Sequence, residues 1–149
     1  MPLYNPTGEY TNPTTVVRKA SDETVNNSDT LQNDDELIMA VAANQAYTFE
    51  IFLLFDSGAT PSFKFGWSVP TGTTMLWKTT NIVSSKTNQT NDGGFIGEGV
   101  GTSVIGVIQG TIIVSSTAGN VVFRWAQITA TASDTKVLEN SSILYTKIT

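Results

Sequence analysis

Hydrophobic and polar residues alternate along much of the chain with a period of two. In "AYTFEIFLLF" (residues 46–55), one face of an extended strand carries Tyr47, Phe49, Ile51, Leu53 and Phe55. The opposite face begins polar and becomes apolar at Phe52 and Leu54. This pattern predicts a strand that is covered on both sides towards its end.

Further segments follow the same rule, and turn residues separate them. The period-2 segments are "FKFGWSV" (63–69), "TTMLWKTT" (73–80), "VVFRWAQITATA" (121–132) and "SSILYTKIT" (141–149). The glycine-rich stretch 95–116 predicts two strands, with bulges or close backbone approach at glycines such as Gly106. The "AGN" at 118–120 predicts a hairpin turn.

These patterns predict an all-β fold with about eight strands, because no segment longer than about 12 residues keeps a period of 3.6. Strands at this spacing with Gly, Pro and Asn turns indicate a β-sandwich, and a jelly-roll-like arrangement is the preferred form. We assign residues 21–149 to this domain and residues 1–20 to an extended N-terminal arm.

The arm, "MPLYNPTGEYTNPTTVVRKA", contains three prolines, which exclude a helix or a central strand. A frayed terminus is one interpretation. The other is an ordered arm that lies on a neighbouring protein, since spaced tyrosines can act as amphipathic anchors. The predicted partner-binding residues are Tyr4, Pro6, Tyr10, Pro13, Val16 and Val17.

Composition excludes several kinds of chemistry. The 149 residues include no cysteine and no histidine, so disulfides, thiolate metal sites and Ser-His-Asp or Cys-His triads cannot form. Charged residues are only 14% of the chain, against about 25% in an ordinary soluble domain. The net charge is −5 without a Lys/Arg run, which argues against a nucleic-acid groove. We predict no enzyme activity, no cofactor and no metal.

Clustered acids were the strongest remaining candidates for chemistry. Asp34, Asp35 and Glu36 are adjacent, whereas a calcium loop needs spaced ligands and a turn glycine. Neighbouring side chains in a strand point in opposite directions, so we interpret these acids as the solvated start of a strand. Four other acids could be paired for glycoside hydrolysis, but any chain with thirteen acids offers such pairs: Glu50, Asp56, Asp92 and Glu98.

Three other motifs point to no specific ligand. The glycines of "GGFIGEGVGTSVIG" lack the Gly-Lys-Ser/Thr and helix of a phosphate loop. Trp67 and Trp125 lie in alternating apolar faces and predict core positions, whereas Trp77 could belong to a sugar-stacking platform. No apolar stretch reaches the roughly 20 residues of a membrane helix, and the N-terminus lacks signal-peptide features, so we expect no membrane partner.

Two segments resemble small virion proteins of tailed bacteriophages. Residues 21–72 are similar to their opening pattern: S-D-E-S-V, T-L-Q-D-D-D-E-L, V-A-A-N, a Y-x-F-E strand, D-S-G-x-T-P-D-F-K and a P-x-G turn. Residues 123–148 resemble their closing pattern: W-A-Q, a Thr-rich loop, G-S-x-L and a last strand. Glu139 and Asn140 depart from it where a glycine precedes the serine, so we expect a different turn there. The arm before Ser21 is not part of the shared pattern.

The resemblance implies a non-enzymatic structural protein of a phage particle, made in the host cytoplasm and located in the virion. The expected role is a capsid decoration (cement) protein on the capsid surface, which binds the major capsid protein. A homo-oligomer, expected to be a trimer, would match the local three-fold points of a shell. The alternative is a tail, baseplate or fibre-tip module that binds a host glycan. An exposed Trp77 would favour the alternative. A carboxylate-only hydrolase is a third, poorer class.

Overall fold

The computed structural model describes residues 3–4, 10–80, 95–97 and 103–148, with side chains described at 12–80 and 103–148. This part of the chain is built of strands, and it contains no helix that could cross a membrane. In chain order the strands are β1 (Leu3–Tyr4), β2 (Tyr10–Thr11), β3 (Thr14–Arg18), β4 (Glu23–Asn26), β5 (Gln32–Val41), β6 (Ala46–Ser57), β7 (Phe63–Ser68), β8 (Thr74–Thr80), β9 (Phe95–Gly97), β10 (Val104–Ile113), β11 (Gly119–Ala126), β12 (Asp134–Val137) and β13 (Ser142–Lys147).

Two antiparallel sheets pack face to face, which confirms the predicted β-sandwich. The large sheet has the order β3-β13-β6-β10-β8, and β12 extends it by pairing with both β6 and β4. The small sheet has the order β5-β11-β7-β9. A separate two-stranded pair joins β1 to β2 near the N-terminus.

Successive strands from β4 to β12 change sheet at every step. Consequently β10 ends in the large sheet and β11 begins in the small sheet, so the "AGN" at 118–120 starts a strand of the opposite sheet. The predicted hairpin at this position is wrong, because hairpin turns join neighbours in one sheet. The jelly-roll arrangement itself stays a prediction.

Strand β6 is the centre of the large sheet and shows the alternation predicted for it. The residues of its inward face are all buried: Tyr47, Phe49, Ile51, Leu53 and Phe55. The outward residues from Glu50 to Asp56 are half-buried. The strand therefore gives one face to the core and presents the other to the outside.

Strand β10 pairs residue for residue with β6 from Val104 to Ile113, so the bulge predicted at Gly106 is absent. Gly110 has a packing role in this strand. A Cβ at Gly110 would collide with the backbone carbonyl of Leu76 and with Phe49 Cε1 and Trp77 Cβ, each 2.8 Å away. The aromatic side chains occupy the space above the glycine, and only glycine fits there.

Aromatic rings form the centre of the core between the sheets. The rings of Trp125 and Phe63 are stacked at 5.8 Å with an interplanar angle of 17°. Trp67 packs edge-on against Phe123 at 5.5 Å, and Trp77 lies 5.1 Å from Phe65. All three tryptophans are buried. The predicted core positions of Trp67 and Trp125 are confirmed.

On one side of β6, the large sheet continues as two strands that lie end to end, β13 and β12, and the outermost strands β3 and β4 are separated at the same point. Between β12 and β13, the hydroxyl of Ser141 accepts from Leu54 N at 3.0 Å and lies 3.1 Å from Leu54 O, to which it donates. Asn140 has φ 68°, a left-handed conformation that glycine favours and asparagine tolerates. The departure from the G-S-x-L pattern thus retains a residue suited to a glycine-type turn.

Candidate functional site

The outward face of the large sheet, here called the outer face, brings together side chains from β3, β13, β6, β10 and β8. The strands are in regular register, so their outward residues form rows across the sheet. One row is Val16, Leu144, Glu50, Gln109 and Lys78. The next row is Thr14, Thr146, Thr48, Thr111 and Leu76.

Two pairs of polar residues on the outer face are hydrogen-bonded across strands. Gln109 donates a hydrogen bond from Nε2 to Glu50, and the hydroxyls of Thr14 and Thr146 lie 2.7 Å apart. Because these four groups are already paired, they keep a hydrogen bond when a partner covers the face. A shallow depression at the centre is lined by Thr48, Glu50, Gln109 and Leu144, among others.

The outer face also exposes large aliphatic side chains. Val16 is 63% exposed, Ile105 54% and Leu76 52%. Five strands about 4.8 Å apart span about 24 Å. Two to three rows of outward residues, about 6.8 Å apart along each strand, then give a footprint on the order of 400 Å². A standard protein interface uses about 800 Å² on each partner, so this face alone provides about half of one.

The structure separates the six residues predicted to bind a partner. Tyr4 and Tyr10 oppose each other in the β1–β2 pair. Their side chains, and Pro6, lie outside the described part of the chain. Pro13 is exposed at the start of β3, and Val16 is exposed on the outer face. Val17 points the other way and packs against the core of its own chain.

Residues 14–18 of the predicted arm form an edge strand of the large sheet. Strand β3 pairs with β13 from Thr14 opposite Thr146 to Arg18 opposite Ser142. Asn12 adds a side-chain hydrogen bond to Lys147 O at 2.7 Å. The extended conformation of this part of the arm is therefore stabilised by pairing within the chain.

A buried ionic cluster lies where β3 ends. The side chain of Lys19 is 1% exposed, and its Nζ lies 2.7 Å from Glu23 Oε2 and 3.0 Å from Asp34 Oδ1. A carboxylate oxygen of Glu36 is 3.8 Å away. Trp125 Nε1 donates to Asp34 Oδ2 at 3.2 Å. The cluster joins the broken edge of the large sheet to β5 of the small sheet.

Two opposing effects act on the amine of Lys19. Burial lowers its pKa, because the charged form loses its hydration. Hydrogen bonds and charges from Glu23 and Asp34 raise it, and the net result is a pKa above the ordinary 10.5. Lys19 is therefore an ammonium ion held between carboxylates in a water-poor site.

The interpretation of the acids at 34–36 as a solvated strand start is wrong for Asp34, whose side chain is fully buried. The reason is an irregularity in β5. Val122 pairs with Ile38 and Arg124 pairs with Asn33. An advance of two residues along β11 therefore corresponds to an advance of five residues along β5. Asp34 Oδ1 accepts from Glu36 N and Leu37 N at 3.0 and 2.8 Å, which holds the extra residues in place.

The sequence contains one signal for this cluster. Arg18 and Lys19 stand directly before the acid-rich stretch 21–36, and Glu23 lies four residues after Lys19. The inward turn of Asp34 depends on the strand irregularity, which a period-2 pattern does not show. Among residues with described side chains, no group of three metal-binding side chains forms a metal site.

Trp77 does not form the sugar-stacking platform that would favour the glycan-binding alternative. This side chain is 2% exposed and packs among the core aromatics. Trp67 and Trp125 are likewise buried, so none of the three tryptophans is available for stacking on a sugar. The glycan-binding alternative loses the feature that would have favoured it. Asp92 and Glu98 lie outside the described residues.

Comparisons with known proteins do not assign the chain to a family. No protein-family model matches it, and no curated protein matches it. Among solved structures, it is similar to chains in the structures of infectious bursal disease virus strains Gx and Gt. The identities are 5% and 9%, and the TM-scores are 0.24 and 0.21. The chain is covered over 99% of its length and spans 43% and 45% of those chains. TM-scores of this size do not indicate a shared fold.

Proposed function

We propose that this chain is a structural protein of a tailed-phage virion, and specifically a capsid decoration (cement) protein. In this role it binds the outer surface of the major capsid protein and stabilises the shell without catalysing a reaction. The resemblance of residues 21–72 and 123–148 to small virion proteins supports the general class. The outer face of the large sheet supports a role in binding another protein.

The motifs of the resemblance fall on residues that build the sandwich. The acidic motif includes Asp34 of the ionic cluster, and the Y-x-F-E motif lies in the central strand β6. In the W-A-Q motif, Trp125 and Gln127 are both fully buried. These motifs therefore determine the framework, whereas partner binding depends on the surface that the framework presents.

The observation that carries the proposal is the character of the outer face. Exposed aliphatic residues lie beside threonines, of which Thr14 and Thr146 already share a hydrogen bond and so cost little to bring into a protein contact. Few charges are present, so desolvation on binding is inexpensive, and a partner can pack flat against five strands. Val16 stands at the edge of this face, next to the N-terminal segment.

The limited area of the face favours binding in several copies. A contact on the order of 400 Å² per subunit is weak by itself, but linked subunits that bind together gain a high effective concentration. We infer a homo-oligomer, most simply a trimer placed on a local three-fold point of the shell. The N-terminal residues before β3 add a second contact, in which Tyr4 and Tyr10 anchor the segment on the capsid.

Reconstitution tests the proposal directly. Heads of the phage that encodes this chain, stripped of it or made without it, are mixed with the purified protein and sedimented. We expect saturable binding at a fixed ratio to the major capsid protein and increased resistance of the heads to heat. Absence of co-sedimentation with intact heads, together with binding to host cells or glycans, would replace this role with the tail or fibre-tip alternative.

A matched pair of variants tests the outer face. Val16→Asp places a carboxylate in the contact, and we expect at least about tenfold weaker binding, because burying an unpaired charge is costly. Ser68→Asp adds the same charge to an exposed position of β7 in the small sheet. We expect wild-type binding for Ser68→Asp. Equal effects of the two substitutions would exclude the outer face as the contact surface.

A further inference from the structure

The ionic cluster brings an amine and a carboxyl group into contact at a buried position. Lys19 Nζ lies 3.0 Å from Asp34 Oδ1, and the two side chains are 1% and 0% exposed. The carboxylate of Glu23 lies 2.7 Å from the same amine and is 16% exposed. An ammonium and two carboxylates in contact contain the atoms of an amide. Burial lowers the pKa of Lys19 but its acidic neighbours raise it overall, and Glu23 is placed to take the proton that Lys19 must lose before its nitrogen can attack.

We propose that Lys19 and Asp34 form an intramolecular isopeptide bond, with Glu23 as the proton relay. The Nζ–Cγ bond forms, and one Cγ–O bond of Asp34 breaks. The ammonium gives up two protons in the course of the reaction, and Glu23 passes both to the departing oxygen, which leaves as water. Glu23 ends as the carboxylate it was at the start, so no oxidant, reductant or further reactant is needed.

Hydrogen bonds to Asp34 suit this step. Oδ1 accepts from the backbone N–H groups of Glu36 and Leu37, which would stabilise negative charge on that oxygen when the amine adds to Cγ. Trp125 Nε1 holds Oδ2, the oxygen that we assign as the leaving group. The reacting groups are thus oriented by contacts that already exist in the folded chain.

Burial favours amide formation in two ways. The amine is held against the carboxyl group, with Lys19 Nζ 3.0 Å from Asp34 Oδ1, which is bonded to the Cγ that the amine would attack. Solvent is also excluded, so the water released can leave while bulk water has little access to the new bond. Glu23 is 16% exposed, and it offers the released water and protons a route out.

The bond would join the two sheets covalently at an open edge. Lys19 lies directly after β3, at the break in the large sheet, and Asp34 lies in β5 of the small sheet. The bond would close a loop between two residues that are 15 positions apart in the chain. A cross-link at this place would shield β4, which lies inside the closed loop, from a force applied to the N-terminal segment, whereas β3 precedes Lys19 and could still be pulled off.

The test is the intact mass of the purified full chain under denaturing conditions, since neither an ion pair nor a hydrogen bond survives there. We expect a mass lower than the sequence mass by one water molecule. After digestion with endoproteinase Glu-C, which cuts after Glu23, the fragments containing Lys19 and Asp34 should remain joined. The full sequence mass in folded, aged wild-type protein would overturn the proposal.

Three variants assign the roles. Lys19→Arg keeps the charge but has no amine able to form this amide, and it should show the full mass. Glu23→Gln should slow bond formation by about 100-fold, the usual contribution of a proton-transfer group. Glu36→Gln is the matched control at the edge of the cluster and should lose water as the wild type does. Equal rates for Glu23→Gln and wild type would remove Glu23 as the relay.

Discussion

Replacement of Trp125 by alanine is the most direct test of the core. This side chain is fully buried, stacks on Phe63 and donates a hydrogen bond to Asp34 Oδ2. Deleting a buried Trp side chain costs about 3–5 kcal/mol through lost contacts and the cavity left behind. Losing the donor to a buried carboxyl oxygen adds about 1–3 kcal/mol.

The sum, about 4–8 kcal/mol, is comparable to the total stability of about 5–15 kcal/mol expected for a single domain. Trp125→Ala should therefore be folded only marginally at 25 °C. Trp125→Phe keeps most of the ring volume and loses mainly the N–H group, so we expect a cost of about 1–3 kcal/mol. The difference between the variants separates the cavity from the hydrogen bond.

Urea denaturation followed by circular dichroism measures both effects without relying on tryptophan fluorescence. Leu76→Ala is the control, since its side chain is 52% exposed and its loss should change stability by no more than about 0.5 kcal/mol. If the free energy of unfolding of Trp125→Ala is within about 1 kcal/mol of the wild-type value, this ring contributes little to the stability of the core. That result would refute the packing described above.

Other predictions concern the backbone and the N-terminal segment. Gly110→Ala should lower the free energy of unfolding by more than about 3 kcal/mol or prevent folding, because its Cβ meets the carbonyl of Leu76. Gly119→Ala should destabilise less, since its Cβ would lie 3.1 Å from a proline ring carbon. Similar urea midpoints for the two variants would contradict this. Deletion of residues 1–11 should leave the melting temperature nearly unchanged and weaken sedimentation with capsids; undiminished binding would remove this segment from the contact. Deletion of residues 1–18 also removes β3 and should lower the melting temperature, and an unchanged value would show that β3 adds no stability.

The strand pattern was predictable wherever burial alone decides which way side chains point. The alternation in β6 and in "FKFGWSV" identified inward residues because one face of each strand packs on the core. The positions of Trp67 and Trp125 followed from the same rule. Trp77 lies on the inward face of β8, whose residues alternate between exposed and buried, but the apolar Leu76 directly before it obscures this alternation in the sequence.

The order of the strands was not predictable, because it depends on contacts between distant segments. The pairing of β3 with β13 joins residues near opposite ends of the chain, and no local pattern contains that information. For the same reason the arm was expected to lie on a neighbouring protein, although β3 pairs within its own chain.

The candidate site depended on two features that sequence patterns do not show. Val16 and Val17 looked equivalent in "TTVVR", but strand geometry sends one to the outer face and the other to the core. Asp34 looked solvated because it stands among other acids. Its burial follows from the irregular register of β5 and from the amine of Lys19, which compensates its charge.

A cryo-EM reconstruction of the intact virion tests the central claim most directly. A decoration protein predicts density for this β-sandwich on the outside of the capsid, with the outer face of the large sheet and the N-terminal segment against the major capsid protein. Three copies should surround each occupied local three-fold point. A reconstruction that places the chain in the tail or fibre, or finds the capsid surface bare while the protein is present in the particle, would contradict this account.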